Sequence, residues 1–343
     1  MLAVGVDTHK ESVAVCVVDE LGRLVDEKTF RNDPIGHLAC LTWLKGLPGP
    51  RRVGVEGSAH LGAAFSRTLD QQGEQVYEVP AVRTNRERRR TNRPGKSDAK
   101  DALAIARVVA REEGLPPAHL WSENTEALRL LTDYRDELVA EAGRLRNRLH
   151  ADLCVLVPGY KAQGIRLLSA IGRQRALAAV AAHPSVRSEL VSKRLGQLET
   201  LEAEMKELEA RIEQLVADSA TALTTIPGVG PLTAARILGR VGSIVRFRSP
   251  AAFAMACGVA PIPASSGYTR RYRLNRGGDR QLNRALHTIA LVQSRSYPQA
   301  QAYIARKRGE GKSTREAVRC LKRHLADVIY KAMQTPLERP LTI

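Results

Sequence analysis

The sequence has few aromatic residues: Phe, Trp and Tyr make up only 4% of its 343 residues. Proteins that hold single-stranded nucleic acid by stacking need aromatic platforms, so stacking is not the main binding mode expected here. Cysteines are also sparse. The five (Cys16, Cys40, Cys154, Cys257 and Cys320) lie far apart and never form a Cys-x-x-Cys pair, which argues against a zinc site and a disulfide framework. Cys16, in the apolar run Val13 to Val18, and Cys257, between Ala256 and Gly258, are expected as small buried hydrophobes. No apolar run approaches the ~20 residues of a membrane span, and Met1 leads directly into a strand-like run with no signal segment. A cytoplasmic chain with no membrane partner is expected. A glycine-rich Walker-type loop is missing too, which argues against ATP use.

Positive charge is abundant. Lys and Arg number 53 against 36 Asp and Glu, a formal net charge of +17. A field of that sign attracts polyanions, and nucleic acid is the expected partner. The charge is also clustered. Arg83, Arg86, Arg88, Arg89, Arg90, Arg93 and Lys96 surround Asn-Pro-Gly punctuation and are expected to form a basic loop that orders on a polyanion. A second block holds Arg270, Arg271, Arg273, Arg276, Arg280 and Arg284, and a third runs from Arg306 to Arg323. With stacking set aside, phosphate contacts should dominate.

The first eighty residues read as α/β. Leu2 to Val6, Val13 to Val18 and Leu24 to Phe30 are strand-like runs joined by short turns, an antiparallel meander. Asp33-Pro34 opens a helix, Arg52 to Val55 is a fourth strand, Leu61 to Leu69 is helical, and Gln75 to Val79 is a fifth strand. A helix follows from about Ser97. Beyond Glu126 the pattern becomes helical, with Leu131, Leu138 and Leu145 seven residues apart. Leu198, Leu201, Met205, Leu208, Ile212 and Leu215 alternate spacings of three and four, the seam of a coiled coil. That seam closes either in an antiparallel hairpin or against another copy. Residues 226–234 (Ile-Pro-Gly-Val-Gly-Pro-Leu-Thr-Ala) suggest a helix-hairpin-helix turn, in which Gly228 and Gly230 let backbone N–H groups approach a phosphate; a plain tight turn fits as well. The resulting division is an α/β domain over 1–125, a coiled-coil region over 126–218 and a mostly helical domain over 219–343.

Four carboxylates stand out. Asp7 ends the first strand and Glu56 the fourth, while Asp98 and Asp101 are three apart on one helix face. Taken singly, Asp7 and Glu56 fit strand-end turn residues and Asp98 fits a helix cap. Together, on this frame, convergent carboxylates need cations between them. An all-oxygen set suits Mg²⁺ or Mn²⁺, two of which can act on a phosphodiester. The eight histidines show no metal-ligand spacing and are expected mostly at the surface. Ser265-Ser266-Gly267, just before Arg270, reads from spacing alone as an ordinary loop, with a serine that attacks phosphorus beside the arginines as the alternative.

Several motifs occur in the order found in one family. Asp7-Thr8-His9-Lys10, Glu56-Gly57, residues 96–102 (Lys-Ser-Asp-Ala-Lys-Asp-Ala), residues 226–230, residues 256–261 (Ala-Cys-Gly-Val-Ala-Pro) and Ser266-Gly267 resemble the motifs of DEDD transposases of bacterial insertion sequences of the IS110 type. The resemblance implies an N-terminal RuvC/ribonuclease H-like domain, a coiled coil and a C-terminal transposase domain. It implies Asp7, Glu56, Asp98 and Asp101 as metal-holding catalytic residues and Ser266 as a nucleophile forming a phosphoserine link to DNA. It also implies a non-coding guide RNA, double-stranded donor and target DNA, dimers that pair into tetramers, and a nucleoid-associated location. Two other classes fit parts of the pattern: a metal-dependent Holliday-junction-type endonuclease of the RuvC class, and a non-catalytic nucleic-acid scaffold.

Overall fold

The computed structural model describes residues 1–90, 98–118, 120–264 and 272–335. These fall into two units, Met1–Ser122 with Gly242–Ser249, and Glu123–Val241 with Pro250–Ile343.

The first unit runs β1 (Leu2–Thr8), β2 (Ser12–Val18), β3 (Leu24–Arg31), α1 (Pro34–Lys45), β4 (Arg51–Glu56), α2 (Ala63–Gln71), β5 (Val76–Glu78), α3 (Ala81–Arg90) and α4 (Asp98–Arg111). The sheet order is β3-β2-β1-β4-β5. β1 to β3 form the antiparallel meander, and β1, β4 and β5 are parallel. This is the α/β domain expected at the N-terminus, with a mixed sheet. Both faces of the sheet are covered, so the β-branched strands are buried on both sides. Val4, Val6, Val53 and Val55 pack with Leu41 and Leu44 of α1 and with Phe65 and Leu69 of α2. On the other face, Ala3, Ala14, Cys16 and Val18 pack with Ala102, Ile105, Ala106 and Val109 of α4. Cys16 is fully buried, and burial, aided by Glu27, pushes its thiol up to about 12. Cys257 is buried as well. Both are the inert hydrophobes expected.

The expected basic loop over 83–96 is corrected in its first part, because Arg83 to Arg90 lie in α3. A run of arginines is a good helix former once its charges are met. Two of them are met by acids distant in sequence, Arg83 pairing with Glu112 and Arg88 Nε lying 3.0 Å from Asp101 Oδ1, and the buried Glu87 of the same helix takes Arg111 Nη1 at 2.7 Å. Arg93 and Lys96 lie outside the described residues.

The second unit is mostly helical. It holds α5 (Glu123–Leu156), α6 (Ala170–Ala181), α7 (Val186–Asp218), a 3-10 turn (Ala222–Thr225), α8 (Pro231–Val241), α9 (Pro250–Ala256), the short strands β6 (Ile262–Pro263) and β7 (Tyr272–Arg273), α10 (Arg280–Ser296), α11 (Pro298–Gly309) and α12 (Thr314–Gln334). α5 and α7 are antiparallel: Arg135 pairs with Glu209, whereas Asp152, further along α5, pairs with Arg194, earlier on α7. Leu138, Ala142, Leu145 and Leu149 of α5 fill the seam formed by Leu198 and Met205, with Leu201 and Leu208 partly buried beside it. The seam is thus filled from within the chain. Its ion pairs are partly exposed at the edge of the seam and contribute less than this apolar packing. Among the described residues, no helix is long and apolar enough to cross a membrane.

Candidate active site

Strand alternation decides where the first two carboxylates point. On β1, Val4 and Val6 enter the α1/α2 core, so Ala3, Gly5 and Asp7 face α4. On β4, Val53 and Val55 do the same, leaving Gly54 and Glu56 on the α4 side. β1 and β4 pair in parallel with Gly5 opposite Gly54 and Asp7 opposite Glu56. The glycine pair is the seat of α4. A Cβ on Gly5 would stand 2.1 Å from both Ala102 O and Ala106 N, and one on Gly54 would stand 2.2 Å from the Val109 side chain. Only at glycine can the helix backbone come so near the sheet. Asp101 immediately precedes Ala102 and Asp98 lies one turn earlier, at the start of α4, near the strand end that carries Asp7.

Electrostatics record the resulting crowd. Burial pushes the Asp7 carboxyl above its ordinary value; His9 opposes the rise, and the charges of Asp101 and Glu56 add to it. Asp101 is buried, and its Oδ1 accepts no hydrogen bond although Arg88 Nε is 3.0 Å away. Asp98 is about half exposed. Behind Glu56 the chain turns through Gly57 at φ 72°, where glycine avoids the left-handed penalty. Glu78, at the end of β5, holds this turn by accepting the N–H groups of Gly57 (3.3 Å) and Ser58 (3.0 Å). Nothing local in the sequence marks Glu78 for that task.

One ligand-type residue escaped the sequence reading. His9 was expected to have no metal-binding relation, yet its Nε2 lies 3.2 Å from Asp7 Oδ2 and 3.2 Å from Asp98 Oδ1. Asp7, His9 and Asp98 offer ligand atoms that all lie within 4.8 Å of one another. The signal was present as Asp7-x-His9, since residues two apart on an extended chain share a face. His37 also departs from the surface expectation. It is buried, burial holds its imidazole below the ordinary value, and its Nε2 sits 2.8 Å from Asn32 Oδ1. Asn32 Nδ2 in turn donates to His9 O at 2.6 Å, and His9 N donates to Ser12 O at 2.8 Å, so the turn carrying His9 is anchored on both sides. A dense acid cluster with one buried carboxylate oxygen lacking a hydrogen bond is a donor set suited to a divalent cation.

Ser266, Arg270 and Arg271 lie outside the described residues, but the positions flanking them are built. β6 and β7 pair Ile262 with Arg273 and Pro263 with Tyr272, and Arg273 is exposed. Nearby, Gly258 at φ 67° meets Gly278 so closely that a Cβ on Gly278 would stand 2.2 Å from Gly258 N. Asn283 Nδ2 donates to the carbonyls of Cys257 (3.1 Å) and Gly258 (3.0 Å), and Lys322 Nζ donates to Asn283 Oδ1 at 2.6 Å. Asn275 Nδ2 reaches Met255 O at 2.8 Å. Neither Asn283 nor Lys322 was singled out from sequence for this bracing, because the partners are far apart in the chain.

The candidate phosphate-binding positions differ in access. On α3, Arg86, Arg89 and Arg90 are exposed, whereas Arg88 is half-buried against Asp101. Gly228 adopts φ 82° and packs against Val292, while Gly230, at the start of α8, has open space where a side chain would stand. The segment before this turn is a four-residue 3-10 helix, so the first helix of a helix-hairpin-helix is minimal here.

Known proteins are similar to this chain in sequence along most of its length. A profile of DEDD transposases of the IS110 type, described as Transposase, matches residues 4–158, and a second, described as Transposase IS116/IS110/IS902 family, matches residues 220–305. The 42 kDa protein of insertion element IS900 from Mycobacterium paratuberculosis is 26% identical over 380 residues, covering 96% of this chain and 95% of its own length. The transposase for insertion sequence element IS1328 from Yersinia enterocolitica is 27% identical over 352 residues, covering 98% and 94%. Among solved structures, T. thermophilus RuvC in complex with a Holliday junction substrate aligns at 20% identity and a TM-score of 0.28, covering 34% of this chain and 99% of that one. The profiles take up both ends of the chain in order, and the relatives align along nearly its whole length. The chain therefore belongs to the IS110-type DEDD transposases, enzymes that recombine DNA.

Proposed function

We propose that this transposase is an RNA-guided recombinase that cuts and rejoins donor and target double-stranded DNA through a phosphoserine intermediate. The observation that carries the catalytic half is the in-register pairing of Asp7 with Glu56 beneath an α4 seated on Gly5 and Gly54. Asp7, Glu56, Asp98 and Asp101 would hold Mg²⁺, or Mn²⁺ in its place. The ion would supply positive charge beside the reacting phosphate. The residues themselves supply a fixed set of oxygens on main-chain supports, which favours one geometry over many.

The serine half rests on the family resemblance. The Ser266 hydroxyl attacks phosphorus, its oxygen replaces one bridging oxygen of the phosphodiester, and a strand hydroxyl leaves. Attack of another strand's hydroxyl on the phosphoserine ester restores a phosphodiester and frees the serine. Each bond broken is matched by one formed, so no nucleotide hydrolysis is needed. That balance agrees with a sequence that lacks a Walker-type loop. Exposed Arg86, Arg89, Arg90 and Arg273, with Arg93, Lys96, Arg270, Arg271 and the turn at Gly228 and Gly230, would meet the phosphates of DNA and of the guide RNA. In this division, residues 1–125 hold the metal, 126–218 form a coiled-coil region closed within the chain, and 219–343 carry the serine; the assembly would be a homodimer that pairs into a tetramer. The site of action would be the bacterial nucleoid.

The test is a denaturing gel of reactions with labelled DNA and the RNA transcribed from the sequence flanking the gene. A covalent protein–DNA adduct is expected, absent in Ser266→Ala and dependent on the RNA. Cleavage with a free 5′ phosphate and no adduct would replace this reading with a Holliday-junction-type endonuclease.

A further inference from the structure

We infer that His9 is itself a metal ligand, so that the cation sits in a mixed nitrogen–oxygen set with a preference for Mn²⁺ over Mg²⁺. The inference rests on the carboxylate metal site proposed above and adds a residue outside the four acids.

The argument begins with spacing. On an octahedral ion with bonds of about 2.1 Å, ligand atoms in neighbouring positions lie about 3 Å apart. His9 Nε2 stands 3.2 Å from an oxygen of Asp7 and 3.2 Å from an oxygen of Asp98, and the three ligand atoms all lie within 4.8 Å of one another. One nitrogen thus lies at the ligand–ligand spacing to two carboxylates at once. A single N–H shared between two acceptors would make two long, divided hydrogen bonds, whereas a cation between the three groups would use all of them. The anchoring is specific to this residue. Asn32 Nδ2 holds the His9 carbonyl at 2.6 Å, Ser12 takes the His9 N–H at 2.8 Å, and the buried His37 lies 2.8 Å from the other end of the Asn32 amide. The main chain of the histidine-bearing turn is therefore held on both sides.

Chemistry then sets the preference. Mg²⁺ favours oxygen ligands and retains its waters, whereas imidazole nitrogen strengthens binding of later first-row ions. An all-carboxylate site discriminates weakly between Mg²⁺ and Mn²⁺. Replacing one oxygen by Nε2 tilts it toward Mn²⁺.

The experiment uses the full chain, with Mn²⁺ as the probe. Pulsed electron paramagnetic resonance on Mn²⁺-loaded protein, made with natural or ¹⁵N-labelled histidine, reads nitrogen bonded to the ion. Calorimetry reads affinity for Mn²⁺ and Mg²⁺. Wild type is expected to show a histidine-nitrogen coupling that His9→Ala loses. Mn²⁺ affinity should fall at least as far as the roughly 10–100-fold typical of losing a group that supports a metal ligand. Mg²⁺ affinity should fall less, so the Mn²⁺/Mg²⁺ preference narrows. If Asp7→Ala abolishes Mn²⁺ binding but wild type shows no nitrogen coupling, the His9 assignment is overturned and the carboxylate site stands. If Asp7→Ala binds Mn²⁺ as wild type does, the carboxylate site itself fails. The wild-type spectrum decides the nitrogen question even if His9→Ala does not fold.

Discussion

The carboxylate cluster and the flanks of the serine-bearing segment are held in place by different means. Around Asp7 and Glu56 the fixing contacts are made where α4 closes on two glycines of the sheet. Gly5 and Gly54 sit side by side on β1 and β4; the α4 backbone rests directly on Gly5, and the Val109 side chain of α4 rests on Gly54. Beside the serine segment one close backbone contact, Gly258 on Gly278, is supplemented by side-chain amides: Asn275 and Asn283 clasp carbonyls, and Lys322 orients Asn283. The first arrangement gives a rigid donor set, as ligands for a cation require. The second depends on polar groups that substitution can release one at a time.

The largest effect should come from breaking the first arrangement. Gly5→Ala places a carbon 2.1 Å from two backbone atoms of α4, and neither can move without displacing the helix. Overpacking of this kind costs about 1–3 kcal/mol or more. Thermal melting should show a large loss of stability together with loss of strand cleavage and of metal binding. A variant that melts like wild type would show that α4 is not seated as described.

Asn283→Leu should act on the second arrangement with a smaller effect. It removes the donor from the carbonyls of Cys257 and Gly258 and leaves Lys322, whose ammonium burial already disfavours, without this partner. Unsatisfied groups of this sort cost about 1–3 kcal/mol. Metal affinity measured by calorimetry should be unchanged, while serine–DNA adduct formation falls. Equal losses in both readouts would erase the distinction between the two regions.

Legibility in the sequence follows the same divide. The strands were readable because β-branched runs with short turns have few alternatives, and Asp7 and Glu56 were readable because each ends such a run. The α4 face was readable from the three-residue spacing of Asp98 and Asp101. His9 was missed because histidines were judged by ligand spacing along the chain, when the strand period of two already placed it beside Asp7. The helix α3 was missed because a block of arginines repels itself in isolation. Its partners Glu112 and Asp101 lie beyond the block and come near only when α4 packs. The contacts of Asn283 with Cys257 and Lys322 are likewise long-range, joining residues 26 and 39 positions apart. Such contacts leave no periodic trace.

Asp7→Asn sharpens the comparison from the electrostatic side. Burial first, then Asp101 and Glu56, raise the Asp7 carboxyl above its ordinary value. The fold thus disfavours the ionised form. Asp7 costs stability as pH rises through that raised value, and the cost is absent in acid below the ordinary carboxylate value. In metal-free buffer at neutral pH, Asp7→Asn should melt a few degrees higher than wild type while losing strand cleavage, and the gap should close as pH falls. A variant less stable than wild type at neutral pH would mean that His9 more than offsets the repulsion.

The smallest effect separates the arginines that face outward from those already paired. Arg89 is exposed on α3, whereas Arg88 on the same helix is engaged with Asp101. If Arg89 meets a phosphate, Arg89→Ala should weaken nucleic-acid binding uniformly across sequences and reduce the magnitude of the log K against log salt slope by about 1. Arg88→Ala should leave that slope nearly unchanged. It should instead tighten Mn²⁺ binding, because Asp101 Oδ1 is freed from a competing cation. Fluorescence anisotropy across a salt series reads the first effect and calorimetry the second. Were both variants to change the salt slope equally, Arg88 would be a phosphate contact like its neighbour, and Asp101 would owe its position to the α4 backbone alone.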